Sequence, residues 1–124
     1  MPEASKVEPR KYTGSCHCGK VRYEVTMALG KVMECNCSIC GREGAMRSFV
    51  PATQFKLLSG EDSLTDYQFG KEHLHHLFCK KCGIHSFARG TAPDGTDTRA
   101  VNVRCLEGVD PWSLEVTHFD GKSR

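Results

Sequence analysis

Cysteine placement constrains this chain more than any other feature. Seven of its eight cysteines lie in three tight clusters: Cys16-His17-Cys18, Cys35-Asn36-Cys37-Ser38-Ile39-Cys40 and Cys79-Lys80-Lys81-Cys82. Cys105 stands apart. Cysteines separated by one or two residues can turn their sulfurs toward a common point, and a soft divalent metal is the usual reason they do so. Seven divides as four plus three. Four thiolates close a tetrahedral zinc site, whereas three leave a position open for chemistry.

A disulfide-stapled fold is the competing reading. The segment Met1 to Tyr12 is polar and lacks the apolar core of a signal peptide. The cysteines are clustered rather than dispersed, and their share falls below the roughly 8–10% of short disulfide scaffolds. A reducing compartment is expected: cytoplasmic, with the nucleus as the alternative. No apolar run nears the roughly 20 residues of a membrane helix, so no membrane partner is expected.

The 124 residues suit one domain. Residues 1–11 read as a flexible lead-in and 12–124 as a single zinc-binding domain. Hydrophobic residues make up 39% and mean hydropathy is −0.43, so the core is thin and metal would add stability directly. The formal charge of +2 counts cysteines as neutral. A zinc with four thiolates carries −2 and one with three carries −1, which takes the metal-loaded chain to about −1. Arg42, Arg47, Arg89, Arg99 and Arg104 are scattered, so nucleic acid is not an expected partner.

Period-two alternation dominates, which predicts an all-β fold of short antiparallel strands. Strands are expected over 20–27, 45–50, 55–58, 64–69, 73–78, 84–88, 100–106 and 115–119. One helical turn is expected after Pro51, turns at Gly60 and at Pro93-Asp94-Gly95, and a hairpin across Gly70-Lys71-Glu72. Val101, Val103 and Cys105 should share one strand face. No stretch carries helical periodicity over twelve residues, and no repeat or linker is present.

Two clusters share a longer pattern, Cys37-Ser-Ile-Cys40-Gly41 and Cys79-Lys-Lys-Cys82-Gly83. This is a zinc-knuckle spacing. The turn aims backbone N–H groups at a thiolate, and the glycine is expected to take the positive φ that leads the chain away. Pairing Cys37 and Cys40 with Cys79 and Cys82 would leave Cys16, Cys18 and Cys35 without a role. Pairing Cys16 and Cys18 with Cys79 and Cys82 leaves Cys35, Cys37 and Cys40 as a local three-thiolate site and uses all seven, so it is preferred.

Gly14-Ser-Cys-His-Cys-Gly-Lys-Val-Arg-Tyr-Glu24, Cys35-Asn-Cys-Ser-Ile-Cys40, Phe78-Cys-Lys-Lys-Cys-Gly-Ile-His-Ser-Phe87 and Asn102-Val-Arg-Cys-Leu106 together resemble the glutathione-dependent formaldehyde-activating enzyme family, which also contains centromere protein V. The resemblance spans about residues 12–119. It implies a β-tent fold, a structural zinc on Cys16, Cys18, Cys79 and Cys82, and a second zinc on Cys35, Cys37 and Cys40. It also implies the namesake reaction, condensation of formaldehyde with glutathione to S-(hydroxymethyl)glutathione, formally a carbon–sulfur lyase reaction run in reverse. The departure is length: the chain is not expected to have room for the longer additions of bacterial members named for the activity, and substrate residues in such additions would be absent.

A substrate thiol could fill the fourth position on the second zinc, where its pKa would fall and the thiolate would attack an aldehyde carbon. Arg42, Arg47, Arg89 and Arg104 are candidates by type for the carboxylates of glutathione. His85 is a candidate neighbour of the open zinc and Cys105 a candidate border of the substrate pocket. The ordinary readings are a hydrogen-bonded strand residue for His85 and a buried thiol for Cys105. His73, His75 and His76 suggest a metal cluster, but on a strand His76 faces away from the other two, and a partly exposed strand explains them. His17 points away from the metal of its neighbours. Tyr67, Phe69 and Trp112 read as core or rim aromatics.

The leading reading is a two-zinc enzyme acting on glutathione or another small thiol adduct. The alternatives are a non-enzymatic zinc-stabilised interaction module of the centromere protein V kind and a thiol or metal sensor.

Overall fold

A computed structural model describes residues 8–68 and 74–120. Its ten strands are β1 (Arg10–Ser15), β2 (Arg22–Met27), β3 (Lys31–Cys35), β4 (Arg47–Pro51), β5 (Phe55–Ser59), β6 (Leu64–Tyr67), β7 (Leu74–Cys79), β8 (Phe87–Thr91), β9 (Asp97–Asn102) and β10 (Glu115–Phe119), with one short helix, α1 (Cys40–Glu43). They form a three-stranded sheet, β1-β2-β5, and a seven-stranded sheet, β10-β3-β4-β9-β8-β7-β6. The all-β expectation holds. Pairing is antiparallel except where β10 lies parallel to β3.

The alternation in β2 shows why the two sheets pack. Tyr23, Val25 and Met27 are buried while Arg22, Glu24 and Thr26 are partly exposed, because successive strand residues point to opposite faces. Tyr23 stacks on Phe55 of β5 with ring centroids 5.0 Å apart. It meets Phe87 of β8, in the other sheet, edge-on at 5.8 Å. Val21, Val101, Val103 and Leu77 complete the centre of this core. The Tyr23 hydroxyl donates to the Ser86 carbonyl at 3.3 Å, which satisfies its one buried polar atom.

Several expectations shift. β1 starts at Arg10, so residues 10 and 11 belong to a sheet rather than to a lead-in. The strand expected over 84–88 runs from Phe87 to Thr91. The strand expected over 100–106 ends at Asn102, and residues 103–105 form a 3₁₀ turn. Asn102 causes that ending: its side-chain oxygen accepts from the Arg104 N–H at 3.2 Å. Cys105 therefore does not share a strand face with Val101 and Val103. β6 and β7 pair as an antiparallel unit, while the Gly70-Lys71-Glu72 turn, Phe69 and His73 lie outside the described residues.

Trp112 is 88% exposed and Tyr23 is fully buried. Urea unfolding of metal-loaded protein should therefore show Trp112→Ala within about 0.5 kcal/mol of wild type. Tyr23→Ala should cost about 3–5 kcal/mol. Equal effects would mean that the two sheets do not pack through Tyr23.

Candidate metal centres

The first centre joins two tight turns that resemble one another. In the β1–β2 turn the Cys16 N–H donates to the Val21 carbonyl at 3.0 Å, and after β7 the Cys79 N–H donates to the Ile84 carbonyl at 3.1 Å. Each turn brings a cysteine pair to the same point. The Cys16 and Cys18 sulfurs lie 3.6 Å apart, as do those of Cys18 and Cys79. All four sulfurs, including Cys82, fall within 4.8 Å of one another. A tetrahedral zinc with bonds of about 2.3 Å needs sulfurs about 3.8 Å apart, whereas a disulfide needs about 2.05 Å. The donor type and spacing fit zinc.

Electrostatics prepare the second turn for thiolates. Backbone N–H groups of Cys82 and Lys81 hold the Cys79 thiol below its ordinary pKa. At Cys82 burial opposes ionisation, but N–H groups of Cys18 and Ile84 outweigh it and bring the pKa down to about 6. Gly83 has φ 79° and leads the chain away, as the knuckle pattern predicts. Gly41 does not behave this way. It lies inside α1, and the left-handed residue is Gly44 (φ 72°), whose N–H closes the helix onto the Cys40 carbonyl. The Cys37-Ser-Ile-Cys40-Gly41 pattern thus opens a helix rather than closing a knuckle.

The second centre sits where the large sheet nearly divides. β3 and β4 share a single residue pair, Met33 with Arg47, and the intervening segment carries all three cysteines. Cys35 ends β3, Cys37 lies in the loop and Cys40 starts α1; their sulfurs lie within 4.8 Å of one another. β10 braces this edge, with Phe119 opposite Cys35 and its carbonyl accepting from the Asn36 N–H at 3.3 Å. Burial raises the Cys37 pKa, but N–H groups of Cys40 and Ile39 and the neighbouring thiols more than reverse it. Burial dominates at Cys40 and pushes it up to about 12. A bound zinc would deprotonate such a thiol outright.

Behind the three cysteines lies a buried polar group that the sequence reading missed. Arg47 pairs with Glu43, four residues earlier, and both side chains are nearly buried. His85 Nδ1 contacts the other Glu43 oxygen at 2.6 Å, and the His85 ring stacks on Phe78 at 5.1 Å. Burial would raise the Glu43 pKa, but His85 and Arg47 bring it below its ordinary value. His76 is buried nearby, and burial followed by the Arg47 charge lowers its pKa. His85 thus reaches the three-cysteine segment through Glu43 rather than as a ligand. The Glu43-x-x-x-Arg47 spacing was the available signal.

Asn102 donates to the His85 carbonyl at 2.9 Å, tying β9 to the turn that carries Cys79 and Cys82. Cys105 borders that first centre: burial raises its pKa, with Ser86, Cys16 and Cys82 as its electrostatic neighbours. It lines neither cavity at the second centre. His75 pairs with Asp66 at 2.6 Å on the face opposite His76, and no described histidine joins either sulfur group. Arg42 donates to the Ser38 carbonyl within the cysteine loop. Arg47 is taken up by Glu43, Arg99 pairs with Asp97, and Arg104 is exposed.

Two cavities meet at Cys35 and Cys40. One, of about 500 Å³, is bordered by Glu34, Asn36, His118 and Asp120. The other is a groove of about 870 Å³ that runs across the large sheet and is lined mainly by apolar residues. Phe119 borders both.

These features define a class: a small two-sheet β protein with one thiol group closed between two turns and another at the mouth of open cavities. The sequence model of the glutathione-dependent formaldehyde-activating enzymes matches residues 11–119, and the chain belongs to that family. It is also similar to a Rhodobacter sphaeroides protein of known crystal structure, with a TM-score of 0.74 and 34% identity, covering 85% of this chain and 99% of that one. No helix among the described residues is long and apolar enough to cross a membrane.

The Arg47–Glu43 pair makes a sharp prediction. Glu43→Gln leaves a buried guanidinium without its counter-charge and should cost about 3 kcal/mol in urea unfolding at pH 7. The double variant Glu43→Gln, Arg47→Met should cost less than Glu43→Gln alone. Additive losses would show that the two charges do not act as a unit.

Proposed function

We propose that this protein joins glutathione, or a closely related small thiol, to an aldehyde at Cys35, Cys37 and Cys40. The reverse reaction is formally that of a carbon–sulfur lyase. Cys16, Cys18, Cys79 and Cys82 would hold a structural zinc and the other three cysteines a second. The observation that carries this reading is the contrast between the two thiol groups. One is a complete set of four set between two turns; the other is a set of three facing two cavities. Family membership supports a thiol partner of the glutathione kind and a reducing compartment such as the cytosol.

Zinc at the three-cysteine centre supplies, when bound, an open position at which a substrate thiol is held as its thiolate. The chain's own residues keep that centre in shape. The end of β3, held by β10, fixes Cys35; the first turn of α1 fixes Cys40. Glu43, the last residue of α1, pairs with Arg47 of β4 and contacts His85, which anchors the end of the helix to the large sheet. The N–H groups of Ile39 and Cys40 favour charge on Cys37. The apolar groove limits water on the side where a carbonyl would approach.

Purified protein should contain two zincs per chain. Cys37→Ser should reduce this to one and keep the fold, whereas Cys79→Ser should lower stability sharply or prevent folding. Zinc-edge X-ray absorption should show one site gaining a sulfur on addition of glutathione, and exchange NMR should show faster equilibration of formaldehyde with glutathione. One zinc per chain, or a spectrum that glutathione leaves unchanged, would sink the reading.

A further inference from the structure

The apolar groove is larger than formaldehyde requires, and its construction is specific. Across the large sheet, Phe49, Ala100, Ala88 and His76 form one cross-strand row. The next row is Pro51, Thr98, Gly90 and Leu74. Small residues of β8 and β9 therefore make a low floor, and larger residues of β4 and β7 make its walls. Ala88 and Ala100 are buried, while Phe49 and Leu74 are 52% and 46% exposed. Phe119, also partly exposed, stands at the cysteine end. These exposed apolar side chains rim one channel, and such grouping marks a binding surface more often than scattered exposure does.

Charge along the channel narrows the occupant. Arg47 is neutralised by Glu43. The Asp94 carboxylate accepts from the Thr96 N–H within the turn after β8. Among the described residues, Arg89 is left as the cation bordering the groove. The two carboxylates and ammonium of glutathione would find little to replace their hydration on such a floor. Formaldehyde has no substituent to place there.

The geometry points to a longer, apolar aldehyde as the second substrate, its chain lying between Phe49 and Leu74 and its carbonyl beside Cys35, Cys37 and Cys40. This inference rests on the thiol–aldehyde reading above and names its substrate class. The reaction stays balanced without an oxidant. The thiol sulfur bonds to the carbonyl carbon, the C=O π pair moves to oxygen, and the proton released by the thiol ends on that oxygen as a hemithioacetal hydroxyl.

The test compares chain lengths in metal-loaded protein. S-hexylglutathione and S-methylglutathione are stable stand-ins for the adducts and report binding by calorimetry without turnover. The hexyl compound should bind at least tenfold more tightly, an effect that burial of about two methylenes produces. KM for hexanal with glutathione should be at least tenfold below that for formaldehyde. Phe49→Ala removes an exposed wall with little risk to folding, and Ala100→Leu raises the floor. Each should shrink the hexyl-to-methyl affinity ratio at least threefold. Equal affinity for the two compounds, or a ratio that neither variant changes, overturns the inference. Formaldehyde turnover combined with that result would leave the thiol–aldehyde reading standing. Absence of turnover with every aldehyde would overturn both.

Discussion

The junction of Cys16 and Cys18 with Cys79 and Cys82 is the constraint on which the rest of the structure depends. It lies where β1 turns into β2 and where β7 ends, so it fastens the small sheet to the large one beside the Tyr23–Phe55–Phe87 core. Cys18 and Cys79 are 61 residues apart in sequence, yet their sulfurs lie 3.6 Å apart. Closing so long a loop is costly for a thin apolar core alone. A metal bound only by the folded arrangement converts its binding free energy into folding free energy. Asn102 extends this junction, since its amide holds the loop after Cys82 against β9.

The three-cysteine segment depends on that frame but departs from it. A continuous β3–β4 pairing would seal the sheet. The cysteine loop and α1 occupy the gap instead, and a buried ion pair holds them in place. Buried pairs are poor sources of net stability compared with apolar packing of the same shape. Here Glu43 links three elements, α1, β4 and the segment carrying His85, with directional contacts that an apolar side chain would not supply.

Much of this was legible in the sequence because clustered cysteines and half-buried strands leave strong local patterns. The thiol partition followed from ligand number and spacing, and β2, β5 and β10 followed from alternation. β3 was missed because Val32 is its one fully buried residue, and a strand that buries so little shows no period. α1 spans four residues, too few for a helical repeat. Cys105 was misplaced because Val101 and Val103 continue the alternation while the Asn102 side chain ends the strand. The Glu43–His85 contact was hidden because it joins residues that only the sheet order brings together. The groove was hidden for a similar reason: Ala88, Gly90 and Ala100 form a floor only once β8 and β9 pair.

The parallel pairing of β10 with β3 separates two events during synthesis. Cys35, Cys37 and Cys40 fit within six consecutive residues and can gather around a metal as soon as that stretch leaves the ribosome. Their cavities cannot exist so early. The groove floor awaits β8 and β9, and Phe119, which borders both cavities, arrives with the last described strand. The three thiols thus come together locally and early, whereas the residues that border the two cavities are spread along the chain and assemble late. A nascent chain would carry the three thiols before it had the walls that later enclose them.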